Sequence, residues 1–162
     1  MAIRQIRLKG DEILTKKTKE IEVIDEKIKE LAKDMIDTLY ANDGIGLAAS
    51  QVGMLKSMIV YDIEYIEDEG KKNPVVCINP KVLSTSKSMI DVEEGCLSFP
   101  NIYENVQRYE KVTFEYTNLD GKRIVKSVKD MEAVVVQHET DHLLGIVFLD
   151  RSIKDRKGKS KK

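Results

Sequence analysis

A chain of 162 residues and 18.5 kDa has room for one domain with a real hydrophobic core, so disulfide staples are not required. Charged residues make up 34% of it, yet the net charge is -1, which excludes a polycation built to wrap nucleic acid, and no apolar run approaches the ~20 residues of a membrane helix. The opening MAIRQIRLKGDEIL is charged early and lacks an apolar core, so it reads neither as a secretory signal nor as a transit peptide, and two cysteines suit a reducing compartment such as the cytoplasm.

Taken in chain order, the first clear element is a helix over 25–41. Asp25 is placed to cap it, and Ile28, Leu31, Met35, Ile36 and Leu39 recur at three- and four-residue steps. Asn42-Asp43-Gly44 then stops it. The segment Gly44-Ile45-Gly46-Leu47-Ala48-Ala49-Ser50-Gln51-Val52-Gly53 is dense in small residues, as where a backbone is closely approached. It lacks the lysine and spacing of a phosphate loop, and a small-residue loop packed on a helix would also explain it. Residues 57–65 and 75–83 read as strands. Residues 111–119 and 122–129 flank Asp120-Gly121 as a hairpin, with Val112, Phe114 and Tyr116 on one face. Residues 130–143 turn helical, although Val134-Val135-Val136 alone would suggest a strand. From Arg151 to Lys162 there are seven basic residues and one acidic residue, Asp155, hence +6, which leaves -7 for residues 1–150. Residues 153–162 therefore read as a basic tail, either solvated or in weak contact with RNA. The whole is an α+β domain over 1–152, with antiparallel β-sheets around a central helix and an N-terminal amphipathic helix.

The chemistry begins at His138-Glu139-Thr140-Asp141-His142. Residues four apart share a helix face, so both imidazoles can reach one metal ion, and Glu139 can project into the same site as a general base. They are the only two histidines in the chain. Asp141 either supports a ligand from behind or is a solvated helix residue.

A catalytic site of this type needs a third protein ligand and an open position for water. With no third histidine, Asp150, Asp155 and Cys96 are all available. Cys96 lies in Glu94-Gly95-Cys96-Leu97-Ser98-Phe99-Pro100 and by itself reads equally as a ligand or a core thiol. The paired histidines tilt that balance towards a ligand. Cys77, in Val75-Val76-Cys77-Ile78, reads as a buried, inert thiol. Two histidines and a thiolate suit Zn or Fe(II). Gln51 offers a side-chain amide that could donate to a developing oxyanion.

Together, GIGLAASQ, EGCLS and QHETDHLLG, in this order and at these separations, resemble peptide deformylase from about residue 5 to residue 152. The resemblance implies a metallohydrolase that removes the formyl group from the N-terminal formyl-methionine of nascent polypeptides. It implies a metal held by Cys96, His138 and His142, with Fe(II) favoured and Zn, Ni or Co as substitutes. It makes Glu139 the general acid/base and gives the formyl oxygen to Gln51 and the Leu97 N–H. Gly46 would offer its backbone to the peptide, and Ile45, Glu94, Met131, Val134 and Val135 would surround the methionine side chain. The partners it implies are formyl-methionyl nascent chains, with any ribosome contact resting on the basic tail, in a monomeric cytoplasmic enzyme away from membranes. A basic residue expected a few positions after EGCLS falls on Tyr103, with Arg108 further on. Two other classes compete: a metallopeptidase whose third ligand is a downstream carboxylate, and a non-catalytic metal-stabilised module, which would need neither Glu139 nor Gln51.

Overall fold

The structure is a computed structural model that describes residues 2–67 and 71–153. The basic segment 154–162, and with it most of the expected tail, lies outside the described residues.

Helix α1 spans Glu26–Ala41, and the Asp25 side chain accepts from the Ile28 N–H at 3.0 Å. Its buried stripe of Ile28, Leu31, Met35 and Leu39 packs into a core with Leu47, Met58 and Ile78. The helix stops at Asn42, and Asp43 rather than Gly44 takes the left-handed backbone, with φ of 52°. Gly44 serves by its size: a Cβ there would lie 2.8 Å from Leu97 Cδ1 and 2.9 Å from Leu39 Cδ1.

The main sheet is antiparallel, in the order β1 (Gly46–Ala48), β2 (Met58–Tyr61), β3 (Val75–Thr85), β6 (Lys111–Thr117), β7 (Arg123–Lys129). A second, two-stranded sheet pairs β4 (Met89–Cys96) with β5 (Phe99–Tyr109). Pro80 is accommodated in β3 because the register slips between Ile78 and Lys81. The Asp120-Gly121 turn forms as expected, with Gly121 at φ +83°, and Val112, Phe114 and Tyr116 are all buried. The strand expected over 57–65 ends at Tyr61. Asp62, fully buried, accepts from the backbone N–H groups of Tyr65 and Asn73 and from the Tyr40 hydroxyl, and so turns the chain into a short helix, α2 (Glu64–Glu67).

Helix α3 spans Asp130–Leu143 and touches strands of both sheets. Its β-branched run is helical because tertiary burial overrides local preference: Val134, Val135 and Val136 are all buried. Beyond α3 the chain folds back through a 3-10 turn, Phe148–Arg151, and Ser152 bridges to Val106 of β5.

Candidate metal centre and active site

Four elements converge on one cavity of about 550 Å³. The end of β4 supplies Cys96, α3 supplies His138 with His142 buried behind it, β1 supplies Gly46, and the 3-10 turn after it, Ala49–Val52, supplies Gln51. The ligand atoms of Cys96, His138 and His142 lie within 4.8 Å of one another. Asp150 is not among them; its carboxylate accepts from the Val147 N–H at 3.0 Å, capping its own turn. Asp155 falls outside the described residues.

His138 is oriented by a hydrogen bond at its second nitrogen, His142 by burial alone. His138 Nδ1 donates to Glu94 Oε1 at 2.8 Å, which leaves Nε2 for the cavity. His142 is fully buried with Nε2 3.4 Å from Cys96 Sγ. Burial by itself would lower the pKa of His138, but the charge of Glu139 and hydrogen bonds with Cys96 and Glu94 outweigh it and lift it to about 10. Burial and the charges of His138 and Arg108 hold His142 well below the usual histidine range, so it stays neutral. A site that favours positive charge, with a neutral imidazole and a thiol within reach, fits a divalent cation. The donor set of two nitrogens and one sulfur leaves room for water.

Glu139 is 4% exposed, with Oε2 4.0 Å from His138 Nε2 and Oε1 without a hydrogen-bond partner. Burial lifts its carboxyl to about 7, opposed by the charge of His138. Such a group exchanges protons near neutrality, as a general base must. Gly46 is where it is because of Glu139: a Cβ there would sit 2.7 Å from Glu139 Oε2. The small-residue segment therefore does pack on a helix, and that helix is the one carrying the ligands.

Gln51 is buried. Its Oε1 accepts from the Ala48 N–H at 2.9 Å, and its Nε2 donates to Ser98 Oγ at 3.0 Å and lies 3.4 Å from Cys96 Sγ. Leu97 follows Cys96 in the turn between β4 and β5. Ile45, Met131, Val134 and Val135 line the same cavity, Met131 at its exposed edge. Glu94 also borders it, but its carboxylate is committed elsewhere: Arg108 forks onto it at 2.7 and 2.9 Å. Those bonds and that from His138 overcome the cost of burial and pull Glu94 down to about 2.

These observations bear on two points that the sequence left open. Asp141 is no solvated helix residue: it is 8% exposed and accepts from Arg108 Nη1 at 2.7 Å and from Arg151 at 3.1 Å. Arg108, 3% exposed, is turned away from the cavity, so it does not offer a guanidinium to a bound peptide. Tyr103, 65% exposed, does stand at the cavity rim. Sequence reasoning missed the roles of Arg108, Ser98 and Arg151. Ser98 stands inside the EGCLS segment, two residues from the ligand, and that proximity was the available signal.

The profile of the family described as Polypeptide deformylase matches residues 3–158. The chain belongs to the polypeptide deformylase family. A peptide deformylase of Dictyoglomus thermophilum is 46% identical over 153 residues, covering 94% of this chain and 95% of that one. A peptide deformylase of Clostridium acetobutylicum is 46% identical, covering 93% and 95%. Among solved structures, the peptide deformylase of Thermotoga maritima matches with a TM-score of 0.87 at 36% identity, covering 94% of this chain and 99% of that one. The mixed helix and antiparallel-sheet fold is the fold of these deformylases, and the Cys96/His138/His142 cluster is this member's candidate metal site. No helix among the described residues is long and apolar enough to cross a membrane.

Proposed function

We propose that this deformylase hydrolyses the formamide of N-terminal formyl-methionine on newly made polypeptides, releasing formate and a free amine. The observation that carries the reading is the convergence of Cys96, His138 and His142 within 4.8 Å, beside a buried Glu139 with an uncommitted oxygen. Cys96, His138 and His142 would hold one divalent ion, Fe(II) in the native enzyme, with Zn, Ni or Co as substitutes. Bound there, such an ion acidifies water and polarises a carbonyl.

The chain's own residues supply the rest. Glu139 takes a proton from the attacking water and returns it to the leaving amine. Its ordinary carboxylate acidity would make it a poor donor at neutral pH; burial corrects that. Gln51 Nε2 and the Leu97 N–H donate to the formyl oxygen as negative charge develops there, each contributing about 3 kcal/mol of barrier lowering. Gln51 is pre-aimed because Ala48 and Ser98 hold both ends of its amide. Gly46 gives its backbone to the peptide. Ile45, Met131, Val134 and Val135 form the apolar wall for the methionine side chain, with Glu94 behind it. The central helix carrying the HExxH motif and the amphipathic helix before it belong to one domain over 1–152, a cytoplasmic monomer, and any weak contact with the ribosome would rest on the basic segment 153–162.

The test is formate release from formyl-Met-Ala-Ser by anaerobically purified protein, with metal content measured on the same sample. Turnover that scales with one Fe(II) per chain is expected. A protein loaded with one ion per chain that releases no formate overturns the reading.

A further inference from the structure

We propose that Arg151, on the C-terminal turn, is a positioning residue of the metal centre: it neutralises Asp141, frees the Arg108 fork for Glu94, and so fixes the His138 ring. The proposal rests on the deformylase reading only in taking His138 as a metal ligand.

Four charged side chains run behind α3 in alternating sign. Arg151 donates through Nε to Asp141 Oδ2 and through Nη2 to Asp141 Oδ1, both at 3.1 Å. Arg108 Nη1 meets Asp141 Oδ2 at 2.7 Å, while Arg108 Nε and Nη2 meet Glu94 at 2.7 and 2.9 Å. Glu94 Oε1 accepts from His138 Nδ1 at 2.8 Å. Glu94, Arg108 and Asp141 are all buried, so their charges are weakly screened. One guanidinium between two buried carboxylates leaves one negative charge over, and the two compete for it. Arg151 removes that competition. Its own side chain is 46% exposed, so it brings a second positive charge at little desolvation cost.

A second contact comes from the same turn. Phe148, 1% exposed, lies with its ring 6.0 Å from the His138 ring and 5.6 Å from Phe99. The next residue after Arg151, Ser152, is bridged to Val106 of β5, the strand that carries Arg108. The turn thus supports His138 from behind by packing and by charge. Coupling of this kind is reciprocal: if the docked turn steadies the ligand, a bound metal must steady the turn.

The test uses the Co(II)-loaded full chain as wild type, Arg151→Ala and Arg151→Lys. Arg151→Ala is expected to lose Co(II) to a chelator about tenfold faster, the low end of what outer partners of a metal ligand contribute. Its visible Co(II) bands should shift, and kcat should fall at unchanged KM. Arg151→Lys should recover part of each change, because it restores charge without the fork. Amide exchange across 147–152 should slow on metal binding in the wild type and less so in Arg151→Ala. A purely structural Arg151 would lower the melting temperature of the metal-free protein and move none of these. Equal chelator rates and identical Co(II) spectra in wild type and Arg151→Ala overturn the proposal alone. A wild-type chain that takes up no Co(II) overturns it together with the metal-centre reading.

Discussion

The two sides of helix α3 handle buried polarity in opposite ways. Behind it, Glu94, Arg108, Asp141 and Arg151 answer one another with donors and acceptors at 2.7 to 3.1 Å. In front, Glu139 Oε1 is buried with no partner, and Cys96 faces two imidazole nitrogens. A satisfied network stabilises and orients, whereas unsatisfied groups in a cavity wait for something from outside. The contrast separates the residues that meet metal and substrate from those that hold them in place. Changes on the front should abolish turnover and spare the fold; changes behind should cost stability or loosen the hold on the metal, and lower turnover only through it.

The largest expected effect is on the front. Glu139→Ala should keep its metal and lose about 10³-fold in turnover, the middle of the range for a positioned acid/base. Wild-type rates of formate release from that variant would remove Glu139 from its role. Behind the helix, Arg108→Met leaves two buried carboxylates without their shared cation. A loss of about 3–5 kcal/mol in urea unfolding is expected, the usual result of breaking a buried pair from one side. A loss under about 1 kcal/mol would show that water reaches the cluster and that the rear is not the dry support described above.

Acid should expose the same asymmetry. Glu94 sits at about 2 in the fold against an ordinary 4.5. A depressed carboxyl contributes stability that is complete above its unfolded value and is lost as pH falls from about 4.5 towards about 2. The shift corresponds to about 3 kcal/mol. Urea midpoints between pH 5 and 2 should therefore fall steeply in the wild type and more gently in Glu94→Gln, which cannot ionise. Parallel curves would mean that other carboxyls carry the acid transition. Glu139 has the opposite sign: with its value raised to about 7, it costs stability as pH rises above about 4.5, consistent with a group kept for chemistry.

How much of this was legible in the sequence follows the range of each interaction. Helix α1 was readable because its stripe and its Asp25 cap are local. The 111–129 hairpin was readable from Asp120-Gly121 and three alternating aromatic and aliphatic residues. The β4–β5 hairpin was not, since only Glu94 of Met89–Cys96 is buried and the strand's alternation carries little apolar signal. Nor was the strand Gly46–Ala48, whose three residues form it only by pairing with Ile59–Tyr61. Of the site, the two histidines and Glu139 are one helical turn of sequence and could be read directly. Arg108 could not be assigned, because its partners are 14 residues back and 33 residues on, and only the unforeseen hairpin brings them together.

The two cysteines give the finest version of the comparison. Cys77 is fully buried among Ile59, Phe114 and Val136, and burial pushes its thiol well above the ordinary range. Cys96 is half-buried and close to both imidazole nitrogens. The same side chain is packing filler in one place and a ligand in the other, so removing each should have separable effects. Cys77→Ala takes away one buried sulfur and should cost about 1 kcal/mol of stability while metal content and turnover stay at wild-type levels. Cys96→Ala should cost metal first, because a site left with two histidines has lost its only anionic ligand. Thermal midpoints and metal-to-protein ratios on both variants decide the matter. Loss of metal on Cys77→Ala would mean that the packing around Ile59 and Val136 reaches the ligands on α3, and the core and the cavity would then have to be treated as one unit.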